Sequence, residues 1–92
     1  DFTAVLNREA SIEEINAAMK EYADGPMKGI LEYTEEALVS SDLRGNSHSS
    51  IYSARDAVGL GNLVKVIAWY DNEWGYSCRI ADLCDFMVKK GL

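Results

Sequence analysis

Apolar and polar positions divide the chain into short segments. Residues 2–6 form a β-type run. Ser11-Ile12-Glu13-Glu14 then matches a capping box, with Ser11 as N-cap and Glu14 at the third helical position. Ile12, Ile15, Met19 and Tyr22 recur at helical spacing, which predicts an amphipathic helix over residues 12–23. Asp24-Gly25-Pro26 ends it. Residues 28–34 are expected as a strand and residues 38–41 as another short one. Residues 42–47 are polar and contain glycine, so a loop is expected there. Residues 49–54 suit a strand, and Gly59-Leu60-Gly61-Asn62 a turn. Residues 63–70 give the clearest strand signal. Apart from Lys65 they are apolar on both alternating faces, as in a central strand covered on both sides.

The last element is expected to be a helix starting between Asp71 and Ser77. Ile80, Leu83, Cys84, Met87 and Val88 fall at i, i+3, i+4, i+7 and i+8, an apolar stripe of the kind that faces a core. Lys89 and Lys90 favour its negative end, and Gly91 suits a C-terminal cap. Most of the strand connections are too short for parallel crossovers. The expected fold is therefore α+β: a mixed, largely antiparallel sheet with two helices.

Composition narrows the classes. In 92 residues, 48% are hydrophobic and 26% charged, ordinary values for a folded soluble domain. The net charge of -6 sits in the first half, where ten acidic residues face four basic ones. An acidic chain without a basic stripe argues against nucleic acid or an anionic membrane as a partner. No apolar run approaches the roughly 20 residues needed to span a bilayer. The chain opens inside a strand-like run, as an excerpt or a processed product would, and that counts against independent folding. Cys78 and Cys84 lie six apart on a helix and point to different faces, so no mutual disulfide is expected. Reduced thiols fit a cytoplasmic protein.

One stretch offers chemistry. "WYDNEWGYS", residues 69–77, lies where the central strand hands over to the last helix. Such junctions bring backbone N–H groups and polar side chains to ligands. Asn72 can donate and accept hydrogen bonds together, as recognition of a carboxamide requires. Tyr76 adds a flat face with a polar tip, and Gly75 permits close backbone approach. The competing possibility is that Asp71 or Asn72 only caps the helix while both tryptophans fill a core. His48, the single histidine, suits a loop or strand edge. Cys84 suits a core position, and nothing places a histidine beside Cys78. Gly59-Leu60-Gly61 lacks the third glycine and the strand-to-helix setting of a phosphate loop. These residues contain no complete catalytic set.

The same stretch resembles the C-terminal part of the phosphorylating glyceraldehyde-3-phosphate dehydrogenase family. "GPMKGILEYTEEALVSSD" (25–42), "HSSIYSA" (48–54) and "VKVIAWYDNEWGYS" (64–77), followed by Arg79 and Asp82-Leu83, resemble that family's segments in unbroken order. The resemblance implies a parent enzyme with a Rossmann NAD-binding domain and a catalytic domain, of which residues 1–92 are the C-terminal portion. Its final helix would pack back on the cofactor domain. Asn72 would hydrogen-bond the nicotinamide carboxamide of NAD and Tyr76 would stand beside the ring. The parent would oxidise and phosphorylate glyceraldehyde 3-phosphate to 1,3-bisphosphoglycerate in glycolysis, as a cytoplasmic homotetramer. The resemblance places the catalytic cysteine, its histidine base, the dinucleotide loop and the phosphate-binding residues upstream of Asp1. No catalytic residue is expected in this chain, and the chain alone is expected to be inactive. Cys78 stands where the family usually has a polar amide. Erythrose-4-phosphate dehydrogenase is the nearest alternative, although that branch is expected to depart at the tyrosines that this chain keeps as Tyr70 and Tyr76. A chain complete at 92 residues would instead be an inert interaction module or a remnant that pairs with family subunits.

Overall fold

Local sequence sets the first helix. A computed structural model describes all 92 residues, and in it helix α1 spans Ile12–Asp24. Ser11 Oγ accepts the Glu14 N–H at 3.1 Å, and the Glu14 carboxylate accepts the Ser11 N–H at 2.8 Å. The expected capping box is present and satisfies two N–H groups the helix cannot reach. The Ser11 N–H, and then the charge of Arg8, hold the Glu14 carboxyl below its ordinary pKa.

Four strands form one sheet: β1 (Phe2–Val5), β2 (Leu31–Thr34), β3 (Ser50–Leu60) and β4 (Leu63–Trp69), in the order β1-β4-β3-β2. β1 and β3 both run antiparallel to β4, while β2 runs parallel to β3. The sheet is thus mixed and largely antiparallel, and with two helices the fold is α+β as expected. Between α1 and the sheet lies a small core of Ala23, Leu31, Tyr52, Ala54 and Ala57, flanked by Ile12, Ile15, Met19 and Val66. Asn16 ties the two layers: it accepts from the Tyr52 hydroxyl at 2.7 Å and donates to the Ala54 carbonyl at 3.2 Å.

Several boundaries differ from the expectations. The strand expected at 28–34 begins only at Leu31, because the Ile30 and Leu31 N–H groups both turn back to the Met27 carbonyl, each at 2.9 Å. The strand expected at 38–41 is replaced by a 3-10 turn, Ser40–Leu43. There the Asp42 carboxylate accepts the Val39 N–H at 2.9 Å, and Leu43 is buried. β3 continues past Ala54 to Leu60 through a register shift between Ser53 and Val58. Gly59 and Leu60 therefore lie in the strand. The turn is Gly61-Asn62 alone, with Gly61 supplying the positive φ of +62° that a two-residue hairpin favours.

β4 is central but is not covered on both faces within this chain. Val64 is buried and Val66 packs toward α1, whereas Leu63 and Lys65 on the opposite face are exposed. Helix α2, Trp74–Lys89, departs further from expectation. Its stripe is not buried: Ile80 is 45% exposed, Leu83 54% and Val88 71%. Cys84 is exposed rather than a core residue. Only the start of α2 meets the rest of the chain, so nothing here reaches the stripe. The C-terminal cap forms as expected, with Gly91 at φ +79°, its N–H on the Val88 carbonyl and the Leu92 N–H on the Met87 carbonyl, both at 2.9 Å.

Candidate functional site

The register of the β3–β4 hairpin builds the site. Ile51 pairs with Trp69, so the chain entering β3 lies beside the chain leaving β4. Residues 40–49 thereby meet residues 70–75. Between them lies a polar cleft of about 510 Å³, lined by Ser40, Ser41, Arg44, Tyr70, Asp71, Asn72 and Glu73.

Asp71 organises this junction. Its Oδ1 accepts the Glu73 N–H at 3.0 Å and the Trp74 N–H at 2.9 Å, and its Oδ2 accepts the Gly45 N–H at 2.9 Å. These bonds favour the charged form. The Trp74, Gly45 and Glu73 N–H groups, in that order, followed by the charge of Arg44, hold the Asp71 carboxyl below its ordinary value. One carboxylate thus satisfies the start of α2 and fastens it to the loop before β3.

Of the two candidates for that cap, Asp71 takes the role. Asn72 is exposed in the cleft wall, and its amide makes no hydrogen bond within the chain. It keeps both a donor and an acceptor for a ligand, which fits a primary carboxamide. The tryptophans do not fill a common core: Trp69 is half-buried and Trp74 is 50% exposed. Tyr76 sits on the first turn of α2, 67% exposed, outside the cleft lining. The structure therefore brings Asn72 to the cleft and leaves Tyr76 beyond it.

Gly75 does permit a close backbone approach, but to the chain itself. A Cβ there would stand 2.8 Å from the His48 carbonyl oxygen, too close for any side chain. One turn later, Arg79 donates to the Gly29 carbonyl at 3.2 Å and to Ser49 Oγ at 3.3 Å. His48 itself lies at the edge of β3 as expected. Its Nδ1 is 2.9 Å from Asn46 Oδ1 and 3.3 Å from the Glu32 carboxylate, a local polar cluster.

Sequence reasoning missed Ser40, Ser41 and Arg44 as neighbours of Asn72. The signal available was the hairpin: two strands around Gly61-Asn62 bring their outer ends together. The register shift inside β3 hid how far that pairing extends.

A model of the family described as glyceraldehyde 3-phosphate dehydrogenase, C-terminal domain, matches residues 1–72. The chain is 56% identical over 91 residues to a glyceraldehyde-3-phosphate dehydrogenase of Omphalotus olearius, covering 98% of this chain and 27% of that protein. It is 54% identical over 93 residues to glyceraldehyde-3-phosphate dehydrogenase 1 of Bacillus subtilis (strain 168), covering 100% of this chain and 28% of that one. A relative from Craterostigma plantagineum, a cytosolic glyceraldehyde-3-phosphate dehydrogenase, is 54% identical over 89 residues, covering 96% of this chain and 26% of its own. The chain spans about a quarter of the length of these curated relatives.

Proposed function

The chain belongs to the glyceraldehyde-3-phosphate dehydrogenase family, within its C-terminal domain, and from that premise we propose that it supplies one wall of the nicotinamide pocket in an NAD-dependent oxidoreductase. The parent would oxidise and phosphorylate glyceraldehyde 3-phosphate to 1,3-bisphosphoglycerate. A Rossmann domain and the first part of the catalytic domain would accompany residues 1–92. A cytoplasmic homotetramer is part of the proposal, and the relative named as cytosolic supports that location.

The free amide of Asn72 carries this reading. It stands at a strand-to-helix junction, and the capping that would otherwise occupy it falls to Asp71. Bound NAD would supply the hydride acceptor. Asn72 would hold the carboxamide through both its donor and its acceptor, which fixes which ring face meets the substrate. Such orientation provides a large part of the rate in bimolecular hydride chemistry. Tyr76, one helical turn on, would border the ring. The chain's His48 is engaged through Nδ1 with Asn46 and Glu32, and the nucleophile and base of the parent would come from its other segments.

The test is Asn72→Ala in the full-length enzyme. The KM for NAD should rise about tenfold, the effect of one or two ordinary hydrogen bonds, while the apoenzyme's melting temperature stays within a degree or so. Unchanged NAD kinetics in the folded variant would sink the assignment.

A further inference from the structure

Helix α2 is fastened to the rest of the chain along a single row. Gly75 and Arg79 are four apart on one face of the helix, and Asp71, four residues before Gly75, continues their line into the turn that caps it, its carbonyl accepting the Gly75 N–H at 3.1 Å. Each meets a different piece of backbone. Asp71 takes the Gly45 N–H at 2.9 Å, Gly75 sits against the His48 carbonyl, and Arg79 reaches Gly29 and Ser49. Past Arg79 the apolar side chains of α2 are exposed, so nothing further along the helix fixes its rotation. Asn72 stands in the turn just before the helix, directly after Asp71, whose carboxylate accepts the Glu73 and Trp74 N–H groups at 3.0 and 2.9 Å. The row therefore holds the turn that carries Asn72 against the rest of the chain.

Arg79 differs from the other two. It alone bridges two separate segments, the turn before β2 and the residues leading into β3. Its guanidinium is held in register by Asp82 on its own helix, at 2.9 Å to Nε and 2.8 Å to the terminal nitrogen. Only a quarter of its side chain is exposed, against about two-thirds for Asp82. A planar fork with several fixed donors resists rotation in a way a single point charge does not.

We infer that Arg79 is a positioning residue for the cofactor site, setting the rotation of α2 and through it the direction of the Asn72 amide. This rests on the proposed role of Asn72. The test is a double-mutant cycle in the full-length enzyme, read as the Kd for NAD by calorimetry. Asn72→Ala raises the Kd about tenfold and Arg79→Gln about fivefold. With Asn72 already truncated, Arg79→Gln has nothing left to misdirect. The double variant then stays near tenfold rather than reaching the roughly fiftyfold of independent sites. Arg79→Lys, which keeps the charge and one bond, recovers part of the loss. It carries the same cycle should Arg79→Gln yield no folded protein. An unchanged Kd in the Arg79 variant, or factors that multiply, overturns the inference and leaves Asn72 in place. An unchanged Kd in Asn72→Ala overturns both.

Discussion

Three backbone N–H groups converge on the Asp71 carboxylate, and that convergence leaves the neighbouring amide free. The arrangement has a pH signature. The folded carboxyl is held below its ordinary value of 3.8, so it contributes stability that is fully present above that value. The contribution is lost as pH falls through the lower, folded pKa. Asp71→Asn in the full-length enzyme should therefore melt below the parent at pH 7. The gap should close as pH is lowered past about 3.8, because protonation then gives the parent the same uncharged group. Equal melting at pH 7 would show that the three bonds do not matter. At this scale the sequence left an ambiguity. Two short polar residues stood side by side, Asp71 and Asn72, and either side chain can cap a helix. What separates them is the Gly45 N–H, supplied from 26 residues upstream and invisible in local spacing.

Elements governed by neighbours in sequence were legible. The box at Ser11 and Glu14 and the close at Gly91 form where their spacing placed them. Ser11→Ala should cost about 1 kcal/mol of stability, measurable as a lowered melting temperature. A loss near zero would mean that Glu14 alone holds the helix start. Elements decided by distant contacts were harder to place. Leu38 and Val39 looked like a strand, but Asp42 turns back on Val39 and Leu43 finds a buried site, so a 3-10 turn forms instead. The glycines at 59 and 61 looked like one turn, yet only Gly61 has the positive φ; Gly59 stays in β3, opposite Val64. The candidate site was half legible. Its β4–α2 side could be read from one motif, whereas Ser40, Ser41 and Arg44 arrive by folding.

The whole molecule is extended for its length. Its radius of gyration is 15.0 Å, where a compact chain of this size has about 12 Å. The excess matches a helix fastened at one end with its apolar stripe uncovered. In the isolated 92-residue chain, amide hydrogens of α2 beyond Ile80 should exchange much faster than those of α1, and the full-length enzyme should slow them. Equal protection of both helices in the isolated chain would show that the stripe finds cover within it. The contact at Gly75 has a mechanical consequence. It makes α2 a lever with its fulcrum against the His48 carbonyl. Lys89 is about 21 Å from that fulcrum along the helix, while Asn72 is within about 5 Å of it. A swing of about 10° would carry the far end about 4 Å and the amide less than about 1 Å. Whatever packs on the long arm can shift by the width of an atom while the short arm, and the group it presents, stays almost still.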